Sequence, residues 1–221
     1  IFGTEGYTAP IRAGDPNVNG GAGVDIRGLT VQTYFDAQSD GTVTLTGEVA
    51  PWVQVPHSEA YYGIDTCIPN LSPRAIPDEQ LGSLADLAVR AAEGVKARGG
   101  RFATRDFWAR FDDDGDGWID TFWILHAGRG QEYGGGSEGE AAIWSRASHL
   151  TGYEDYPAGH TIHDNDTPDP SDDIRLGSFN LLPEDSDLGV LVEEFGHSFF
   201  GLPDLYTMRS ENSIGWWAPM S

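Results

Sequence analysis

The sequence predicts an α+β fold, on three observations. Val43, Leu45 and Val49 alternate with Thr44, Thr46 and Glu48, the period of a half-buried strand. Apolar residues recur at helical spacing through Leu81, Leu84, Leu87, Ala88 and Ala91, and Leu188 to Phe200 forms a second apolar run behind an acidic cap. Trp118 to His126 is a largely apolar run of strand length, as expected of a central strand. With 221 residues, 39% of them apolar and 11% aromatic, the chain has ample material for a buried core.

In chain order, residues 1–28 are Gly- and Asn-rich without periodicity and are expected to form an extended strap. Strands are expected from Leu29 to Tyr34 and from Thr42 to Val55, joined by a turn at Ser39-Asp40-Gly41. Tyr61-Tyr62-Gly63 opens a polar loop. Pro77-Asp78-Glu79 supplies the proline and acids that start a helix, and Gly99-Gly100 stops it. After the Trp118–His126 strand comes a Gly-rich loop, Gly128 to Gly139. Residues 150–175 are polar, rich in Pro and Asp, and aperiodic, which predicts a long functional loop. Asp185-Ser186-Asp187 caps the final helix, which ends at Gly201 with Pro203 beyond. No internal repeat or linker divides residues 1–221, so a single domain is expected.

The net charge of −22, from 35 acidic and 13 basic residues, predicts repulsion from nucleic acid and from anionic membrane surfaces. No run of about 18 apolar residues is present, so no membrane span is expected. All basic residues are Arg except Lys96, and an acidic, Lys-poor composition fits salt adaptation or a GC-rich genome; a second reading, compatible with the first, is that some of the carboxylates bind cations. The first residue is Ile, so any targeting segment is expected upstream, with further domains after Ser221. Cys67 is the single cysteine and allows no intramolecular disulfide. Its turn-rich setting suits a bystander thiol better than a nucleophile.

Asp112-Asp113-Asp114-Gly115-Asp116-Gly117-Trp118-Ile119-Asp120 places carboxylates at loop positions 1, 3, 5 and 9 and glycine at position 6, where the chain must turn sharply. That spacing wraps backbone and carboxylates around Ca2+, with Asp112, Asp114, Asp116, Asp120 and the Trp118 position as ligands. Position 12 is Trp123, so the bidentate Glu of an EF-hand is absent. The plain alternative is a solvated acidic turn, in which the carboxylates repel one another with no cation between them.

Val192-Glu193-Glu194-Phe195-Gly196-His197 sits in the apolar run of the last helix. In the pattern His-Glu-x-x-His, residues at i and i+4 share one helix face and reach one Zn2+, while the Glu acts on water. Here His197 fills the second ligand position, Glu194 the general-base position and Glu193 the first ligand position. Asp204, after the Gly201-Leu202-Pro203 turn, can swing back as a third ligand. Taken bare, Glu-Glu-x-x-His is more often a charged helix face. Its setting among Leu191, Val192, Phe195, Phe199 and Phe200 argues instead for a cation, because buried carboxylates are costly without one.

These segments resemble the immune inhibitor A-like metallopeptidases, a secreted zinc family. The resemblance runs over most of the chain, from about Leu29 to Ser221. It is carried by Thr46-Gly47-Glu48-Val49 with Trp52-Val53 and Tyr61-Tyr62-Gly63, by Phe111 to Asp120 leading into His126-Ala127-Gly128, and by Ala142-Ile143-Trp144. The most specific part is Glu194-Phe195-Gly196-His197 followed by Gly201-Leu202-Pro203-Asp204-Leu205-Tyr206, then Gly215-Trp216-Trp217 and Met220-Ser221. The resemblance implies a zincin-like fold, a twisted mixed sheet over the active-site helix. It implies Glu194 as general base, His197 and Asp204 as zinc ligands, protein or peptide substrates and an extracellular location. The closing Trp and Met resemble a turn that floors the zinc site. Glu193 departs from the family, which has a zinc-binding His there, and the His197–Asp204 spacing is one residue longer than usual. His149, His160 and His163, in loops before the helix, are candidates for a replacement imidazole, while His126 reads as a structural residue.

Three functions are therefore open: a calcium-stabilised zinc endopeptidase using Glu193, His197 and Asp204 as ligands, a non-catalytic relative of the same fold, and a calcium-stabilised adhesion or structural domain.

Overall fold

The computed structural model describes residues 30–66, 76–79, 81–164, 167–205 and 220. The expected strap at 1–28, Cys67, Gly215-Trp216-Trp217 and Ser221 lie outside the described residues.

The first element corrects the sequence reading: Val31–Gln38 is a helix, α1, where a strand was expected. A capping box decides it. Thr30 Oγ1 accepts from the Thr33 amide at 3.1 Å, and Thr33 Oγ1 accepts from the Thr30 amide at 2.7 Å. The turn at Ser39-Asp40-Gly41 follows as expected. The segment 42–55 forms no strand among the described residues. It runs extended with Val43, Leu45, Val53 and Val55 half-buried and Thr44, Thr46 and Gln54 exposed. Side chains rather than a ladder hold it: Glu48 pairs with Arg101 and, at 2.5 Å, with Arg110, and Arg98 donates to the Trp52 carbonyl.

A short helix α2, Glu59–Gly63, leads into β1, Asp65–Thr66, which pairs antiparallel with β2, Ile76–Glu79. Pro77-Asp78-Glu79 therefore belongs to a strand and does not start the next helix. α3, Leu84–Lys96, begins later because Ser83 Oγ accepts from the amides of Ala85 and Asp86 and so supplies the cap. Gly99 and Gly100 both take positive φ just past its end, as the stop signal required. α4, Arg105–Ala109, follows.

Six strands make two mixed three-stranded sheets. They are β3 (Trp118–Ile119), β4 (Trp123–His126), β5 (Arg146–His149), β6 (His160–His163), β7 (Ile174–Leu176) and β8 (Ser178–Pro183). The orders are β3-β7-β6 and β4-β8-β5. β7 pairs parallel with β3 and antiparallel with β6, and β8 pairs parallel with β4 and antiparallel with β5. The expected strand Trp118–His126 is thus two strands in two sheets, and each half lies at an edge of the described order. The central strands are β7 and β8. The region 150–175, expected as one long loop, contributes β6 and the start of β7.

β8 separates two apolar layers. Phe179 and Leu181 join Leu84, Ala88 and Val95 of α3 and Phe107 and Trp108 of α4 in one core. Leu182, one residue on and facing the other way, packs with Leu125, Val31 and Leu191. The last helix, α5, Leu188–Phe200, lies on that second side, against β5, β8 and α1. Helices plus mixed sheets make the α+β class expected from the sequence.

Candidate metal centre and cleft

α5 carries the centre, and its ends are set by local chemistry. Asp187 Oδ1 accepts from the Val190 amide at 3.0 Å, and Gly201 closes the helix in the left-handed region at φ 63°. Inside the helix, Leu191, Val192 and Phe195 are buried, and Glu194 is buried with them at 8% exposure. Met220 packs beneath Gly196: a Cβ there would meet its Sδ at 2.9 Å. The residue expected to floor the site therefore lies under the helix turn that bears His197.

Glu193, His197 and Asp204 come together, each offering one ligand atom within 4.8 Å of the others. His197 Nε2 lies 3.1 Å from Asp204 Oδ1. Its Nδ1 donates to the Leu202 carbonyl at 2.7 Å, which fixes the tautomer and leaves the lone pair of Nε2, beside Asp204, for a metal. The helix runs to Phe200 before Gly201 turns the chain, so the longer His197–Asp204 spacing is accommodated by the helix end and the turn.

Burial pushes Glu193 up to about 7, with Asp204 and Asp187 adding and His197 opposing. Burial, reinforced by the charge of Glu193, pushes Glu194 up to about 8 against a backbone hydrogen bond from Ala147. Burial thus holds both carboxyls toward the neutral form, and a cation beside them would favour their ionised forms. One imidazole nitrogen with its far nitrogen engaged, and two carboxylates within reach, fit a divalent cation.

The group opens into a cleft of about 550 Å³ lined by Glu132, Trp144 to His149, Val190, Glu193, Glu194, His197 and Asp204. β5 forms one wall, paired antiparallel with β8 with Ala147 opposite Asn180, and all four of its residues line the cleft. Glu132 was not among the sequence candidates. It accepts from the Ser145 amide at 3.2 Å and from the Ser145 hydroxyl, tying the Gly-rich loop to the start of β5. Burial raises its carboxyl above the usual range. A lone Glu among glycines carries no motif, and its role depends on a strand that the sequence did not reveal.

The other histidines stand apart. His149 lines the cleft from the end of β5 but is not part of the three-residue group. His160 pairs with Glu93 at 2.9 Å on β6, and His163 ends that strand, so neither lies in the loops expected. His126 ends β4 with Nδ1 3.1 Å from the Ala127 carbonyl and 3.3 Å from Glu59. Burial lowers His126 to about 4 and raises Glu59 to about 7.

In the acidic loop, Asp112, Asp114 and Asp116 form a second group of oxygens within 4.8 Å of one another. Asp112 accepts from the amides of Asp116 and Gly117, both at 3.0 Å, and Asp116 accepts from the Trp118 amide at 2.8 Å. Asp120 stands outside that group and accepts from the Asp113 amide at 3.0 Å. Burial, with the charges of its neighbours, raises the Asp120 carboxyl. The Trp118 ring fills the space over Gly159 and Gly177, where a Cβ would meet it at 2.5 and 2.8 Å, so the loop leads directly into packed structure.

The family model for the catalytic domain of immune inhibitor A peptidase M6 matches residues 2–221. Immune inhibitor A from Bacillus thuringiensis subsp. alesti is 32% identical over 188 residues, covering 80% of this chain and 25% of that protein. The pre-pro-metalloprotease PrtV of Vibrio cholerae serotype O1 is 27% identical over 237 aligned positions, covering all of this chain and 22% of that protein. The chain thus spans about a quarter of the length of these curated relatives.

Proposed function

Because the chain belongs to the immune inhibitor A family of M6 peptidases, we propose that it is the catalytic domain of a secreted, calcium-stabilised, zinc-dependent endopeptidase acting on proteins or peptides. The observation that carries the reading is the convergence of Glu193, His197 and Asp204 beside buried Glu194 in an open cleft.

Zinc, when bound by Glu193, His197 and Asp204, supplies Lewis-acid polarisation of a peptide carbonyl and acidification of water. The remaining work falls to the chain. His197 presents Nε2 because Nδ1 is committed to the Leu202 carbonyl. Glu194, next to a ligand but turned from it by one helical step, takes up the proton of the attacking water and passes it to the leaving amine. Its setting among apolar residues favours the protonated form, and a nearby dication favours the carboxylate, so the two effects bring its affinity for protons toward neutrality.

Calcium belongs to the same proposal, with Asp112, Asp114, Asp116, Asp120 and the Trp118 position as its ligands. It is supported by the preformed turn that draws three carboxylates together. Sites with few converging carboxylates suit the millimolar calcium found outside cells, in keeping with an extracellular location. Among the described residues no helix is long and apolar enough to cross a membrane.

The test is hydrolysis of a quenched fluorescent protein substrate with zinc added, with a zinc-selective chelator and after zinc is restored. Activity that falls with the chelator and returns with zinc is expected. A folded, calcium-loaded protein inactive in all three would favour the second reading, a non-catalytic relative. Glu193 is the observation behind that reading, since a carboxylate stands where the family has a ligand histidine.

A further inference from the structure

The composition of the ligand set carries a further inference, which rests on the reading of Glu193, His197 and Asp204 as metal ligands. We propose that this is a carboxylate-rich site, with two oxygen donors and one imidazole, which discriminates less between zinc and a hard divalent ion such as manganese than the same site with a histidine at position 193 would.

Glu193 and His197 lie four residues apart on α5 and so share a face, and Asp204 returns to them beyond the Gly201 turn. Among the described residues no second imidazole or thiolate joins the three. His149 lines the cleft outside the group, His126 lies against Glu59 and His160 against Glu93. Nitrogen donors widen the affinity gap between manganese and zinc, because imidazole suits zinc and copper while carboxylate oxygen suits magnesium, calcium and manganese. An oxygen at position 193 therefore narrows the gap. Two carboxylates also attract any dication by charge alone, with little preference among ions. Glu193 is the determinant, since His197 and Asp204 fill positions that would be the same with a histidine at 193.

Metal affinities read this directly, without turnover. Metal-free protein is titrated with zinc or manganese, separately, by competition against a chromophoric chelator. Wild type is compared with Glu193→His, with His197→Ala marking binding elsewhere, including the acidic loop. At the His197-dependent site, the zinc-to-manganese affinity ratio is expected to be roughly tenfold or more smaller in wild type than in Glu193→His. Equal ratios, with zinc still bound in a His197-dependent way, would overturn the selectivity proposal and leave the ligand reading standing. No His197-dependent binding of either ion in any folded variant would remove both. Where Glu193→His does not fold, Glu193→Gln answers: it must weaken manganese more than zinc, and equal weakening contradicts the proposal.

Discussion

His197 donates from Nδ1 to the carbonyl of Leu202 at 2.7 Å, so the turn that ends α5 also orients the imidazole. Leu202 can be there because Gly201 reverses the chain at φ 63°. Among the described residues, its own helix and chain neighbours aside, no heavy atom lies within 4 Å of where a Gly201 Cβ would sit, so the penalty expected for replacement comes from the left-handed backbone. Gly201→Ala should cost about 1 kcal/mol, a fall in Tm of roughly 2–4 °C, and weaken metal binding with it. Gly201→Asn should cost less, because Asn tolerates the left-handed region. Thermal unfolding checks this; unchanged stability in Gly201→Ala would mean that the turn is not held as described.

Metal-free protein should lose stability as pH rises from 6.5 to 8. Glu194 lies at about 8, and Glu193 and Glu59 at about 7, all above the ordinary 4.5 of an unfolded Glu. Raised values favour the folded state fully below 4.5, and that contribution disappears as pH passes through 7 and 8. His126 works the other way: lowered to about 4 from 6.5, it favours folding above 6.5 and loses that contribution as pH falls. Above 6.5 only the carboxyl effect remains. A bound dication keeps Glu193 and Glu194 ionised, so metal-loaded protein should decline less. The check is Tm against pH with chelator and with metal; a flat profile in chelator contradicts the assignment.

The acidic loop should make stability depend on calcium. Ligand bound only to the folded state adds about 2.7 kcal/mol at a hundred times its Kd. Asp112→Asn combined with Asp116→Asn should abolish the rise, since these carboxylates belong to the converging group, Asp112 accepting from the amides of Asp116 and Gly117 and Asp116 from that of Trp118. Calcium titration followed by thermal unfolding decides it, and identical Tm values with calcium and with excess chelator would exclude the site.

The sequence revealed those parts of the molecule that local chemistry controls. Asp187 and Gly201 bound α5, and the acidic loop turns where Gly117 falls, at φ 86°. The spacing of Glu193 and His197 foretold that they would face together. What depended on partners distant in sequence was not legible. The alternation from Val43 to Val55 does report which side faces inward, but alternation cannot say whether a neighbouring strand exists, and side chains of Glu48 and Arg98 hold the segment instead. The Thr30–Thr33 capping box outweighed the apolar pattern of Leu29 to Tyr34. β5, which walls the cleft, is only half-buried to exposed and so lacks the apolar signature of a strand. With it went Glu132, which matters only because β5 begins at its side.

Glu194→Gln tests the central claim most directly, because it removes the proton acceptor and keeps the size of a side chain that is buried beside the metal ligands. Peptide hydrolysis and metal content are measured together on wild type and variant. The account predicts that metal stoichiometry and fold are retained while hydrolysis falls by about 100-fold or more. Hydrolysis near the wild-type rate would contradict it and remove Glu194 from the mechanism.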